Sequence, residues 1–133
     1  MAVGRRHARS GSPFESTAAY ARAVRAGELI AVSATAATTQ EGTAEHPGDT
    51  YAQARESIAR ALAAVAELGG SVGDVIRTRV YLVPGADWRG AVRAHAEAFA
   101  GVDPANTTVV VAAFIPDGVL VEVELDAVVA TNR

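Results

Sequence analysis

Asn106 and Glu122 stand out as polar side chains in a β-rich stretch, PANTTVVVAAFIPDGVLVEVELDAVVA, over residues 104–130. An amide offers a donor and an acceptor without charge. A carboxyl can orient water or carry a proton to and from a reacting atom. The stretch reads as two strands. The first, 107–114, is dominated by Val and Ala. The second, 119–129, alternates, with Val119, Val121, Val123 and Leu125 on one side and Glu122, Glu124 and Asp126 on the other. Pro116-Asp117-Gly118 between them carries turn chemistry, because Pro presets φ and Gly tolerates positive φ. A closing β-hairpin is expected, with Asn106 at the start of one strand and Glu122 in the middle of its neighbour. Spacing alone also supports plainer roles: a surface carboxylate at Glu122, or one paired with Arg77 or Arg79, and turn chemistry at Asn106.

Those arginines lie on the next candidate strand, Val75 to Val83. Arg77, Arg79 and Tyr81 share one face, and Ile76, Thr78, Val80 and Leu82 the other. Charges on a strand face persist when paired, so structural salt bridges or a subunit-interface lining are expected there ahead of ligand binding. His46 falls in a Thr/Gly/Glu/Pro-rich loop, 38–49, and reads as a solvated histidine. Nothing in the spacing calls for a metal or a cofactor.

The elements that must position these residues follow the hydrophobic periods. Alternation from Ala19 to Ala37, broken at Ala26-Gly27-Glu28, predicts a tight hairpin. Asp49 or Thr50 caps a helix running to Leu68, with Ile58, Leu62, Val65 and Leu68 at helical spacing and Gly69-Gly70 as its stop. Trp88 to Phe99 is a second helix. The order ββαβαββ defines an α+β fold with a mainly antiparallel sheet and both helices on one face. The other face, rich in Ala, Val and Thr, predicts association. Residues 1–13 read as a flexible tail, with Arg5, Arg6, His7 and Arg9 in it, and 14–130 as a single domain.

Composition narrows the function classes. A net charge of −3 over 133 residues argues against nucleic acid as the main partner. The absence of cysteine excludes disulfides, thiolate metal sites and a cysteine nucleophile, and fits a cytoplasmic protein. No run approaches the ~18 apolar residues of a membrane span.

Taken in order, several segments resemble the YjgF/RidA family, the reactive intermediate deaminases also called endoribonuclease L-PSP. They are AYARAV (19–24), LIAVS (29–33), YAQARESI (51–58), GGSVGDVIRTRVYL (69–82), EAF (97–99), DPAN (103–106) and VEVE (121–124). The resemblance implies a chorismate-mutase-like fold and a homotrimer with small-molecule clefts between subunits. Deaminases of this family hydrolyse enamines and imines such as 2-aminoacrylate, using an arginine after the Pro-Ala of the fourth strand to hold the substrate carboxylate. Here that position is Asn106. Losing a charge-assisted bond costs about 1.5–3 kcal/mol of binding, which points to a subfamily without the standard activity. By the same resemblance Glu122 is the catalytic, water-positioning carboxylate. Tyr20, Ser33 and Ala34 line the cleft, Ala34 replacing a glycine. Arg93 aligns with a cleft asparagine, and Thr107 and Thr108 add donors beside Asn106.

Two function classes follow. One is an imine or enamine hydrolase, or a specialised-pathway enzyme, acting on a nitrogen-containing metabolite. The other is a non-catalytic small-metabolite-binding or scaffold protein. The acidic isoelectric point, about 5.6, argues against an RNase role.

Overall fold

A computed structural model describes residues 4–130. The chain runs β1 (Arg5–Ala8), α1 (Pro13–Ala18), β2 (Ala23–Ala26), β3 (Leu29–Thr35), α2 (Thr50–Glu67), β4 (Val75–Leu82), α3 (Trp88–Phe99), β5 (Ala105–Val110) and β6 (Val121–Val128). The six strands form one sheet in the order β1-β2-β3-β6-β4-β5. The expected ββαβαββ core is present in β2 to β6, and the fold is α+β.

The first strand lies where a tail was expected. Arg5–Ala8 pairs antiparallel with β2, and α1 follows, capped by Ser12, whose hydroxyl accepts from Phe14 N. The reason is partly a helix end. Arg6 Nη2 and Arg25 Nη1, adjacent in register, both donate to Leu68 O at the C-terminus of α2, at 3.0 and 2.7 Å. Cations there satisfy an orphan carbonyl and oppose the helix dipole. The part of the expected tail at residues 1–3 lies outside the described residues.

The β2–β3 turn is the tight hairpin expected, with Ala26 opposite Leu29 and Gly27 at φ 62°. Asp49 caps α2, accepting from Ala52 N at 3.0 Å. The closing hairpin is corrected. Pro116–Val119 does turn, Val119 N donating to Pro116 O at 3.4 Å. Yet β5 and β6 do not pair: β4 lies between them, antiparallel to β6 and parallel to β5. Helix α3 returns the chain to the same end of the sheet, so β5 must run parallel to β4.

The core lies between the sheet and α2 and α3. Val121, Val123, Leu125 and Ala127 of β6 are fully buried, against Ile58, Ala61 and Val65 of α2 and Ala91 and Phe99 of α3 in one cluster. Gly70 permits close approach there, since a Cβ at that position would sit 2.7 Å from Val65 Cγ1. On β4 a register shift between Val75 and Arg77 turns Val75 into the core and leaves Ile76 52% exposed, reversing the expected start of that alternation. The open face of the sheet is charged at its centre, rather than the Ala/Val/Thr surface expected. Arg79 Nη1 reaches Glu124 at 3.3 Å and Asp126 at 3.5 Å, and the Tyr81 hydroxyl donates to Glu124. The edge strand β5 also exposes apolar side chains, Val109 and Val110. No helix among the described residues is long and apolar enough to cross a membrane.

Candidate functional site

Glu122 lies where β3 leaves the sheet. The last β3–β6 pair is Thr35 with Val123, so beyond it the β3 side of Glu122 is open, while β4 presents Tyr81 on the other side. A β-bulge shapes that exit. Between the pairs Val32–Leu125 and Thr35–Val123, two residues of β3, Ser33 and Ala34, oppose Glu124 alone. Such an extra residue bends a strand and re-aims its side chains. The start of β6 is pinned by Gln53 of α2, which is fully buried. Its Oε1 accepts from Leu120 N at 2.8 Å, and its Nε2 donates to Gly118 O at 3.0 Å and His46 O at 3.2 Å.

The result is a cleft of about 930 Å³ bounded by the β3 exit, the β1–α1 segment and α2. Tyr20, Ser33, Ala34 and Glu122 line it together. Phe14, Ile115 and Pro116 give it an apolar flank. Ser33 Oγ donates to Ala21 O at 2.8 Å, so this hydroxyl supports the wall. Glu122 is half-buried and makes no hydrogen bond or ion pair among the described residues. Burial pushes its carboxyl above the usual range, and the charge of Arg22 opposes that rise. Its neighbours on the same strand face differ, because Arg79 takes Glu124 and Asp126. Arg79, one of the two arginines expected to pair with Glu122, is thus engaged by Glu124 and Asp126 instead.

Asn106, Thr107 and Thr108 lie elsewhere, on edge strand β5 and outside this cleft. Asn106 sits opposite Thr78 in register, and Glu122 opposite Tyr81, with β4 separating them. Asn106 Nδ2 donates to Thr78 Oγ1 at 3.0 Å, and Thr108 Oγ1 donates to Asn106 Oδ1 at 2.9 Å. Thr78 Oγ1 also shares a hydrogen bond of 2.7 Å with His95 Nε2 on α3. Asn106 thus joins a network on the helix side, whereas Glu122, alternating with buried Val121 and Val123, faces the other side. The expected pairing of the two across one hairpin is not formed within the chain. Arg93 is also outside the cleft: on α3, its guanidinium stacks 3.8 Å from the Tyr51 ring centroid.

Sequence reasoning missed Arg22 and Glu15. Arg22 is 11% exposed and Glu15 5%, and they form an ion pair of 3.2 Å beside Glu122's cleft. Arg22 lies within the alternating segment 19–37, whose period alone gives it no special role. The usable signal is Ser12-Pro13, a helix start that brings Glu15 back toward the strand. Across the cleft, Glu45, His46 and Glu56 approach within 4.8 Å of one another. Arg60 bonds both carboxylates, each at 2.8 Å, and supplies the positive charge they share.

Fold and cleft define an α+β sheet protein of the chorismate-mutase-like type with a lone carboxyl at a strand exit. The chain belongs to the endoribonuclease L-PSP family, whose model it matches over residues 11–129. It is 42% identical over 123 residues to the uncharacterized protein SCO2049 of Streptomyces coelicolor, covering 92% of this chain and 90% of that one. It resembles the crystal structure of Rv2704 of Mycobacterium tuberculosis, a member of the YjgF/YER057c/UK114 family, with a TM-score of 0.85 and 38% identity, covering 95% of this chain and 100% of that one. The YjgF gene product of E. coli matches with a TM-score of 0.77 and 28% identity, over 92% of this chain and 98% of that one.

Proposed function

We propose that this RidA-like protein acts on an imine, enamine or related nitrogen-containing metabolite, with Glu122 as the proton-transfer group, and not as a standard 2-aminoacrylate deaminase. The observation that carries this reading is the unpaired, half-buried carboxyl of Glu122 in a cleft, on a strand face whose other carboxylates are paired. A carboxyl whose protonated form is favoured by burial can serve in turn as proton acceptor and donor. For an imine, Glu122 carboxylate takes a proton from water as its oxygen adds to the C=N carbon. The protonated carboxyl passes that proton to the nitrogen, giving a neutral carbinolamine. The carboxylate then carries the carbinolamine's hydroxyl proton to the same nitrogen, which leaves as ammonia while the C=O forms. An enamine first takes a proton at carbon to become the iminium.

Two features argue against a small amino-acid-derived acid as substrate. Asn106, where the deaminases of the family carry arginine, is uncharged and occupied by Thr78 and Thr108. Arg22, the cation whose charge Glu122 feels, is already paired with Glu15. We take the working form to be a homotrimer, with the clefts between subunits. The fully exposed edge strand β5 and its apolar Val109 and Val110 support association. The cysteine-free chain suits a cytoplasmic setting.

The test is keto product and ammonia release from enzymatically generated 2-aminoacrylate and from neutral imines. Turnover of the neutral imines well above the solvent rate, lost in Glu122→Gln, is expected. 2-Aminoacrylate turned over faster than every neutral imine would reject the substrate class. A non-catalytic metabolite-binding role is the second reading, favoured by the engagement of Asn106 within the chain. No turnover of any of these compounds, together with ligand-induced thermal stabilisation, would decide for it.

A further inference from the structure

We propose that Arg22 is the positioning residue of the Glu122 site, a guanidinium in the wall of the same cleft that pairs with Glu15 and leaves Glu122 free to exchange its proton. The inference deepens the reading of Glu122 given above. Its geometry is unusually well determined for a charged side chain. The backbone of Arg22 is tied on both sides, its N donating to Ala8 O and its O accepting from Ser33 N, each at 2.9 Å. Its Nη1 donates to Ala34 O at 2.8 Å and Thr35 Oγ1 at 3.2 Å, both on the bulged exit of β3. Its Nη2 donates to Glu15 Oε2 at 3.2 Å. Glu15 is fixed in turn, accepting from Ser10 N at 3.1 Å and from the Ser10 hydroxyl.

One guanidinium thus does two jobs. It ties the bulge that opens the cleft, and it places a fixed charge in the wall of the cleft that Glu122 also lines. Because Glu15 already neutralises it, Glu122 meets an oriented ion pair instead of a bare cation. A bare cation would favour the carboxylate strongly. The paired one leaves burial dominant, in agreement with the direction of the Glu122 shift. Other groups face Glu122 as well. Tyr81 lies opposite on β4, with its hydroxyl on Glu124, and Tyr20 lies beside Arg22 under its guanidinium, 5.5 Å from the ring centroid. Across the cleft stand Glu67 and Arg60 of α2, with Arg60 held by Glu45 and Glu56.

The proposal demands shifts of opposite sign from two neutralising substitutions. Removing the cation (Arg22→Gln) should raise the titration midpoint of Glu122. Removing the restraining carboxylate (Glu15→Gln) should lower it, by releasing Arg22 toward Glu122. The measurement is a ¹³C carboxyl NMR titration of the whole protein, with the Glu122 signal assigned by its loss in Glu122→Gln. It needs no substrate, so it succeeds or fails independently of any turnover assay. Arg22→Lys, which keeps the charge, should return the midpoint toward that of the parent. If Arg22→Gln does not fold, Glu15→Gln and Arg22→Lys carry the test. Midpoints that stay at the parent value, or that move the same way in both neutralising variants, would overturn the proposal, since simple loosening of the cleft moves both alike.

Discussion

Asn106 on β5 and Thr78 on β4 face each other in register and are joined by a hydrogen bond of 3.0 Å from Asn106 Nδ2 to Thr78 Oγ1. Thr78 is fully buried and also bonds His95. Thr78→Val keeps the shape and removes the hydroxyl that both neighbours use. A loss of about 1–3 kcal/mol is expected, because a polar partner left unsatisfied costs its full desolvation. Urea unfolding at neutral pH measures it, and a change near zero would mean that Asn106 and His95 find solvent instead.

The same network has a pH signature. Burial holds the His95 imidazole below its ordinary pKa. A depressed folded-state value favours the neutral ring, so its stabilisation is complete above the unfolded-state pKa and is lost as pH falls through the folded one. Acidification from pH 7.5 to 5 should therefore cost the parent more stability than His95→Gln. Parallel urea midpoints for the two proteins across that range would rule this out.

Glu122 carries the opposite sign. Its folded-state pKa is raised by burial, so its contribution is fully present below the unfolded-state value and is lost as pH rises through the folded one. Glu122→Gln should melt above the parent at pH 8, with the gap closing toward pH 4. Turnover, in contrast, should fall by about 10²–10⁴-fold, the usual worth of a general acid or base. A variant that is both less stable at pH 8 and fully active would place the chemistry elsewhere.

Edge strand β5 exposes every residue, Val110 to 64%. A charge there opposes edge pairing and apolar contact. Val109→Lys with Val110→Lys should shift the light-scattering mass from trimer to monomer while circular dichroism stays unchanged. A parent protein that scatters as a monomer would remove the basis for a cleft shared between subunits.

Arg6 and Arg25 cap the same carbonyl, Leu68 O. Either single alanine variant should therefore lose only a few tenths of a kcal/mol, and the double variant about 1 kcal/mol, the scale of a helix-end charge. Strict additivity of the two singles would show that the guanidiniums act independently.

Much of the fold was legible because it rests on local periodicity. The alternation of Val119 to Leu125, the cap at Asp49 and the stop at Gly69 each express a rule within one element. The strand partner of β6 is not such a rule. Pro116-Asp117-Gly118 turns as its residues require, but a turn does not specify which strand lies alongside, and the return of the chain through α3 decided that. Val75 and Ile76 exchanged faces for a similar reason: a bulge inverts an alternation without marking the sequence. At the cleft, the resemblance singled out Glu122, Tyr20 and Ser33, which the fold brings to one lining. Arg22 was not singled out, because a cation on an alternating strand reads as solvent-facing until Glu15, from an unsuspected helix, is brought against it. Arg93 shows the converse, a charge assigned to the cleft by alignment and taken up by Tyr51.

The place of β6 has a consequence for how this protein is made. It is the last of the described strands in chain order, yet it lies between β3 and β4 in the sheet. Until residues 121–128 leave the ribosome, the β1–β3 ribbon and the β4–β5 pair have no ladder joining them, and the central groove stays vacant. Until then the emerged chain is held as two incomplete halves, with strand edges open to chaperones or to stray pairing. Glu122 arrives on the same strand that closes the gap, so the carboxyl and the cleft wall around it come into being together.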